Sequence, residues 1–349
     1  MKPFTYTRPD DAGAAVAAVG ADPGATFLAG GTNLLDHLKL GVAGPSALVD
    51  VARATSTDIV ERDDGGLVIG AGALNADVAA HPVVRRDHPV LAQALLDGAS
   101  GQLRNMATTG GNLLQRTRCA YFADPTTPCT KRDLTQPCSA RGGWARYHAI
   151  LGAGSSTGGA SCIATHPSDM AVALVALDAT VQVLGPGHEG VGQSTRSVPV
   201  AELHRLPGDD PTRDTVLRHG DLITAVELPP SPIARNSAYR KVRDRASYAF
   251  ALVSVAAALE VRDGVVADVR LALGGVAHKP WRATRAEAAL RGAPATDESF
   301  RAAARAELVD AEPVETPLGG NAFKLDLVVG AVTDTLRRLG KARPTKETA

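Results

Sequence analysis

Two short glycine-rich stretches decide the fold of this sequence, and the first is Leu28-Ala-Gly-Gly-Thr-Asn-Leu-Leu35. It follows an apolar run, Thr26–Ala29, that predicts a strand, and it leads into leucines at helical spacing that predict a helix. Adjacent glycines let the backbone approach a ligand closely, and free N–H groups at a helix start favour an anion such as pyrophosphate. For one such stretch taken alone, a plain turn with a capped helix is the alternative.

The second stretch, Thr108-Thr-Gly-Gly-Asn112, again combines two glycines with hydroxyls and an amide. Two loops of this kind can hold the two ends of one diphosphate. Neither contains the lysine of a Walker A loop or the Gly-x-Gly-x-x-Gly spacing of a dinucleotide fingerprint, so the pattern excludes a P-loop ATPase and a Rossmann assignment. A third run, Gly152–Gly158, has Cys162 and Pro167 where a helix should follow, and we interpret it as a flexible loop.

Composition narrows the class of protein. A chain of 349 residues predicts two or three domains. The chain has 37 Lys+Arg and 37 Asp+Glu residues, so it has no net positive charge that would attract nucleic acid. No nucleic-acid partner is therefore expected. The longest nearly apolar run, Ala249–Leu259, is too short to cross a bilayer, so no membrane insertion is expected.

The order of predicted elements indicates an α+β chain with a domain boundary at Pro229, Pro230 and Pro232. Asp263-Gly264 between two apolar runs predicts a hairpin, and Thr284 with Glu287 fits a capping box. The predicted elements that matter below are helices at Asp11–Val19, about Val90–Leu96, Ser168-Asp169 through Ala176, Asp297–Leu308 and Phe323–Leu339 closed by Gly340, and strands at Ala47–Val51, Leu67–Ala73, Thr180–Leu184, Leu252–Val261 and Val265–Leu273.

All four cysteines, Cys119, Cys129, Cys138 and Cys162, lie in residues 116–165, a stretch with little periodicity that we interpret as irregular backbone around a local site. They lack the Cys-x-x-Cys spacing of zinc ribbons. Four thiolates are the usual ligand number of an iron–sulfur cluster, and neighbouring arginines and lysines would offset its charge. Spacing alone leaves a cluster, a zinc ion, and inert or disulfide-bonded cysteines open.

Several stretches in their order along the chain resemble one family: Met1-Lys-Pro-Phe-Thr-Tyr6, Ala29–Leu35, Arg104–Cys119, Cys162-Ile-Ala-Thr-His-Pro-Ser-Asp169 and Tyr239-Arg-Lys-Val-Arg-Asp-Arg245. The chain resembles the FAD-binding medium subunit of the xanthine dehydrogenase (molybdenum hydroxylase) family. More narrowly, it resembles the flavoprotein subunit of bacterial aldehyde oxidoreductases that carries an extra 4Fe–4S cluster. The resemblance extends through nearly the whole chain.

The resemblance implies a PCMH-type FAD-binding domain of two α/β subdomains at residues 1–228, and a smaller α/β domain like the CO dehydrogenase flavoprotein C-terminal domain at residues 235–342. It implies that the FAD diphosphate lies against backbone amides of two segments. Asp169 would meet the adenosine side, and Ile223 and Lys241 would lie close to the isoalloxazine ring. The residues of the two segments are Leu28, Ala29, Gly30, Gly31, Thr32, Asn33 and Leu34, and Thr108, Thr109, Gly110, Gly111 and Asn112.

The cysteine-containing stretch 116–165 looks like an insertion in this framework, and the resemblance implies that Cys119, Cys129, Cys138 and Cys162 hold a 4Fe–4S cluster. Whether such a cluster relays electrons or only holds the insertion in shape is left open. The implied partners are a small subunit with 2Fe–2S centres, a large molybdenum-cofactor subunit that oxidises an aldehyde or an N-heterocycle, and an external electron acceptor. With no signal in the amino-terminal residues, we expect the cytoplasm, or the periplasm by co-export with a partner.

Two other functions remain as alternatives. The first is a self-contained flavin oxidase of a small alcohol, which is disfavoured because we identify no motif for covalent flavin attachment and no acid–base constellation for a substrate. The second is a zinc-stabilised, non-catalytic scaffold in which the glycine stretches are only turns.

Overall fold

The computed structural model describes residues 1–153, 162–187 and 192–341. From position 154 onward, the run predicted as a flexible loop at Gly152–Gly158 therefore lies outside the described residues. Position 342, the last residue of the predicted carboxy-terminal domain, lies outside them as well. Within the described ranges, no helix combines the length and the apolar character that crossing a bilayer requires.

The amino-terminal layer is a parallel three-stranded sheet in the order β1-β3-β2. Its first helix begins where predicted, because the Asp11 carboxylate accepts a hydrogen bond from Ala14 N at 2.7 Å. Leu28, the last residue of its second strand, pairs with Asp50, so the first glycine turn leaves the sheet at its carboxyl edge. The elements are β1 (Thr5–Thr7), α1 (Ala12–Ala21), β2 (Ala25–Leu28), α2 (Leu34–Leu40) and β3 (Ala47–Asp50).

The middle layer is an antiparallel five-stranded sheet in the order β4-β5-β8-β6-β7, with helices packed on it. The helix predicted after Ser168-Asp169 is confirmed, and the Ser168 hydroxyl caps it by accepting from Ala171 N at 2.9 Å. The elements are β4 (Ile59–Glu61), β5 (Leu67–Gly70), α3 (Asn75–Ala80), α4 (Pro82–Asp87), α5 (Pro89–Asp97), α6 (Gly101–Arg104), α7 (Thr109–Leu113), α8 (Ala120–Ala123), α9 (Asp169–Ala176), β6 (Thr180–Pro186), β7 (Gln193–Pro199), α10 (Val200–Leu203) and β8 (Leu222–Leu228).

The carboxy-terminal layer is an antiparallel sheet in the order β12-β11-β10-β9, with three helices on one face. The predicted hairpin is confirmed, since Asp263 and Gly264 both have positive φ. Val253, Val255 and Leu259 belong to the core shared with the three helices. The elements are β9 (Ser237–Val242), β10 (Val253–Arg262), β11 (Val265–Gly274), β12 (Trp281–Arg282), α11 (Thr284–Leu290), α12 (Asp297–Glu307) and α13 (Phe323–Lys341).

The other face of the carboxy-terminal sheet packs on the middle layer. Ala256 and Ala272 lie in the hydrophobic core that contains residues of α5 and α9. Alanines let the helices approach this face closely, so the part of the chain after the proline-rich linker docks directly on the part before it. Residues 116–153 and 162–165 have little regular structure, as predicted, with α8 and a 3₁₀ turn at Ser139–Arg141.

Two helix-terminus predictions are wrong. Ala283 precedes α11 as its N-cap residue, and the Glu287 carboxylate accepts a hydrogen bond from Leu271 N at 2.7 Å instead of closing a capping box. The Glu287 carboxylate therefore binds a backbone amide distant in sequence instead of one at the start of its own helix. Gly340 does not close the last helix, since α13 continues to Lys341.

Candidate functional site

The first glycine turn is pressed against the second glycine-rich segment. A Cβ atom on Gly30 would lie 1.8 Å from the backbone oxygen of Met106, and Gly31 has a φ of +71°. A Cβ atom on Gly111 would lie 3.8 Å from that of Ala29. The two stretches, about 80 residues apart in sequence, are therefore direct neighbours.

The first turn presents unused hydrogen-bond donors. Within the described part of the chain, the backbone N–H groups of Gly30, Gly31, Thr32 and Asn33 have no partner. Four neighbouring amides without acceptors are available to an anionic ligand. The Asn33 side chain holds the turn in place, because its Oδ1 atom accepts from Arg116 N at 2.9 Å.

The second stretch differs from the prediction, because it starts a helix. Thr108 is the N-cap of α7, and its hydroxyl oxygen accepts from Gly111 N at 3.2 Å. Thr109 N and Gly110 N donate to Ala73 O and Ala71 O, both at 2.9 Å. Its amides are thus used inside the protein, unlike those of the first turn, and contact of Thr108–Asn112 with the FAD diphosphate stays a prediction. The Gly110 position instead allows close packing, since a Cβ atom there would lie 3.1 Å from that of Ala71.

The second stretch joins the predicted Ser-Asp pair. Asn112 Oδ1 accepts from the Ser168 hydroxyl at 2.6 Å, across 56 residues of sequence. Ser168 is followed by Asp169, the first residue of α9. The first turn, α7 and the start of α9 therefore form one continuous side of the site.

Asp169 forms a buried ion pair with Lys241. Lys241 Nζ lies 2.8 Å from Asp169 Oδ2, and the Tyr239 hydroxyl donates to Asp169 Oδ1 at 2.5 Å. Burial raises the pKa of Asp169, although the attraction of Lys241 opposes that shift. The resemblance puts Asp169 and Lys241 at different parts of an extended cofactor. The ion pair places the two side chains next to each other, and the part of FAD that each would meet stays a prediction.

We expect Asp169→Asn to lower the free energy of unfolding by about 3–5 kcal/mol, because it leaves the buried Lys241 ammonium without its paired carboxylate. The double variant Asp169→Asn with Lys241→Met should recover most of that loss in urea unfolding. As the control, Glu260→Gln disrupts the exposed pair with Arg262 and should cost about 0–1 kcal/mol. Equal losses in the two single variants would contradict the assignment of a buried pair.

Ile223 lies in β8 with its side chain in the core, only 2% exposed. The next residue, Thr224, accepts from Ala71 N at 3.0 Å, and Ala71 accepts from Gly110 N. Ile223 is thus adjacent to the second glycine stretch, and its side chain is buried in the core. Its placement close to the isoalloxazine ring stays a prediction.

A cavity of about 470 Å³, the large cavity, opens beside this side of the site. Its size is within the usual range for small-molecule sites. Ser168 and Asp169 border it, and several aromatic side chains are part of its lining. No sequence motif marks the aromatic residues of this lining, which are Trp144, Tyr147, Tyr248 and Phe250. The neighbouring ion pair could have been located from the sequence, because Tyr239 and Lys241 alternate along one face of a strand.

The four cysteines line a second, small cavity, the cysteine cavity. All four are free thiols. Among the described residues, no group of three or more His, Cys, Asp or Glu side chains is close enough to hold one metal ion.

Burial disfavours the thiolate form of two of the four cysteines. Burial raises the pKa of Cys119 to about 11 and that of Cys162 to about 12. The buried Lys131 ammonium opposes the shift at Cys162. Lys131 also forms an ion pair with Asp214, which connects the cysteine-containing stretch to the loop before β8. Its Nζ atom lies 3.0 Å from His278 Nε2. A bound metal centre would have to deprotonate these thiols, and Lys131 supplies compensating charge.

His204 makes stability depend on pH. Burial lowers its pKa to about 4, and the ring lies 4.1 Å from that of His166. Below pH 6.5 the unfolded chain takes up the proton first, so stability should fall by about 1.4 kcal/mol per pH unit from pH 6.5 to about 4 for this histidine alone. Denaturant unfolding at pH 7, 6 and 5 measures the slope. His204→Gln should make it shallower, and an unchanged slope would contradict the account.

Two family models match the chain. Residues 2–231 match the FAD binding domain in molybdopterin dehydrogenase. Residues 237–339 match the CO dehydrogenase flavoprotein C-terminal domain. The fold is thus of the predicted class, with the FAD-binding domain followed by the smaller domain.

Curated relatives and solved structures are similar to this chain over nearly its whole length. The chain is 49% identical over 337 residues to the aldehyde oxidoreductase FAD-binding subunit PaoB of Escherichia coli K12, covering 96% of this chain and 98% of that protein. It is 26% identical to the glyceraldehyde dehydrogenase medium chain of Sulfolobus acidocaldarius, covering 93% and 94%. A structure of carbon monoxide dehydrogenase from Hydrogenophaga pseudoflava superposes with a TM-score of 0.72 at 27% identity, covering 96% and 97%. The chain therefore belongs to the family of FAD-binding medium subunits of the molybdenum hydroxylases.

Proposed function

We propose that this chain is the FAD-binding electron-transfer subunit of a heterotrimeric molybdenum-containing aldehyde oxidoreductase. It would receive electrons from 2Fe–2S centres on a small subunit, after a large molybdenum-cofactor subunit oxidises the substrate, and pass them to an external acceptor. The observation that carries the proposal is the first glycine turn, whose free amides lie beside the second stretch, which Asn112 joins to Ser168 at the border of the large cavity. Identity of 49% to an aldehyde oxidoreductase subunit favours an aldehyde over an N-heterocycle.

The residues present fit FAD. The amides of Gly30 to Asn33 would bind the diphosphate, and Thr108–Asn112, which packs against that turn, would lie on the same phosphates. The large cavity would exclude water from the flavin ring, with Asp169 at its border and Lys241 held on Asp169. Ile223 would lie close to the isoalloxazine ring. When bound, FAD supplies one- and two-electron redox chemistry, and the protein positions it.

We propose further that Cys119, Cys129, Cys138 and Cys162 hold a 4Fe–4S cluster. Support comes from the placement of all four cysteines around one cavity. Lys131 would offset the negative charge of a cluster with four thiolate ligands.

The division into domains at residues 1–228 and 235–342, with residues 116–165 as an insertion, is part of the same proposal.

We also propose a compartment for the protein, which is the cytoplasm, or the periplasm by co-export with a partner. Cell fractionation distinguishes the two compartments.

The test begins with the full chain purified under anaerobic conditions. The proposal expects one FAD, about four irons with matching sulfide, and co-purification with molybdenum-cofactor and 2Fe–2S subunits when these are co-expressed. Zinc near one equivalent without sulfide would favour the scaffold alternative. Turnover of a small alcohol by the isolated chain would favour the stand-alone oxidase. A folded chain with neither flavin nor iron would refute the proposal.

A further inference from the structure

The large cavity and the cysteine cavity share a wall. Two residues, Cys119 and His148, line both cavities. The other three cysteines line only the cysteine cavity. Cys119 is thus the one thiol among them that also borders the proposed flavin site.

His148 is held rigidly in this wall. It is 4% exposed, and its backbone N donates to Ala145 O at 3.0 Å. Its carbonyl oxygen accepts from Lys324 Nζ at 2.8 Å and from Asn321 Nδ2 at 3.1 Å. Because Lys324 also donates to Gly275 O, the wall is tied to the end of β11. The ring therefore has a fixed position between the two cavities.

The imidazole faces the sulfur atom of Cys119. His148 Nε2 lies 3.2 Å from Cys119 Sγ, whereas the buried Nδ1 atom has no hydrogen-bond partner among the described atoms. A sulfur atom that ligates a metal carries no proton, so it can only accept this hydrogen bond. Nε2 is then the donor.

Building on the proposed FAD and 4Fe–4S cluster, we propose that His148 is a positioning residue that donates an N–H···S hydrogen bond to Cys119. We further propose that this shared wall is where cluster and flavin exchange electrons. The exchange moves one electron: the reduced cluster is oxidised and the flavin is reduced, with no bond to the protein formed or broken. The electron comes from the 2Fe–2S partner subunit. The insertion thus has a redox role besides holding its own shape.

A hydrogen bond to a ligand sulfur raises the reduction potential of a cluster, since it stabilises the more negative reduced state. His148→Leu removes the donor. We expect the electron-exchange equilibrium between cluster and flavin to shift about tenfold towards the oxidised cluster, or about 59 mV for a one-electron couple. His148→Gln keeps an N–H donor and should recover part of the shift.

The experiment is a redox titration of the full chain followed by EPR spectroscopy, after iron and flavin contents have been measured. His88→Leu is the matched control, because His88 is also buried but lines neither cavity. A lower midpoint potential in His148→Leu but not in His88→Leu supports the proposal. Equal potentials in wild type and His148→Leu, at full iron and flavin content, overturn it while leaving the proposed function intact.

The wild-type chain supplies a second readout that no folding defect can obscure. If the cavities share a wall, the reduced cluster should accelerate spin relaxation of the flavin radical, which is seen as a harder-to-saturate EPR signal. A flavin signal that saturates equally with the cluster oxidised or reduced contradicts close contact. A purified chain without iron would contradict the proposed 4Fe–4S cluster, and this inference would then be wrong as well.

Discussion

Gly30→Ala is expected to abolish retention of FAD by the purified chain. The added Cβ atom would lie 1.8 Å from the backbone oxygen of Met106, and backbone cannot turn aside as a side chain can. The turn would have to move away from the second glycine stretch, which displaces the free amides of Gly31 and Thr32. Overpacking of this kind also destabilises the fold by about 1–3 kcal/mol. Flavin absorbance per protein and a thermal melt measure the two effects.

Gly101→Ala is the control for this substitution. Gly101 starts α6, close in sequence to the second stretch, and a Cβ atom there meets nothing within 4 Å. Its flavin content should equal that of the wild type. Full flavin content in Gly30→Ala would show that the close approach of the two stretches is not needed for binding.

Cys162→Ser is expected to lose nearly all bound iron and acid-labile sulfide. Cys162 is 4% exposed and lines the cysteine cavity, so a hydroxyl there replaces one of four thiolate ligands with a poor ligand for iron. The residues around the cavity should become less stable as well, because the metal centre adds binding energy only to the folded state. Iron and sulfide analysis with visible absorption spectroscopy measures the loss.

Thr135→Ala serves as its control within the same insertion. Thr135 is exposed, and its hydroxyl donates to the neighbouring Asp133 carboxylate, away from the cavity. Iron content should not change in this variant. If Cys162→Ser kept its full iron content, the assignment of this thiol as a ligand would be wrong.

Local signals in the sequence predicted the elements whose ends are set locally. The Asp263-Gly264 turn lies where two positive φ angles are needed, and Ser168 caps α9 by its own hydroxyl. In both cases, the residues that determine the structure are within three positions of one another. The prediction needed no knowledge of the rest of the chain.

Predictions failed where distant residues compete for the same groups. Glu287 binds Leu271 N across the sheet instead of forming a capping box. The amides of Thr109 and Gly110 are taken up by Ala73 O and Ala71 O, so a stretch that matches the first in composition differs in hydrogen bonding. Sequence patterns do not show which backbone acceptor lies opposite.

The site itself depends on contacts between residues distant in sequence. Lys241 and Asp169 are 72 positions apart, and His148 and Cys119 are 29 apart. Family resemblance singled out Lys241, Asp169 and Cys119, but it did not show that two of them form an ion pair. His148 has no motif of its own, and only its position between two cavities indicates a role.

The most direct test of the central claim is a crystal structure of the chain with FAD bound. We expect the diphosphate within hydrogen-bond distance of the Gly31 and Thr32 amides, beside α7, and the flavin ring in the large cavity. A diphosphate bound elsewhere, with the amides of the first turn still free, would contradict the account.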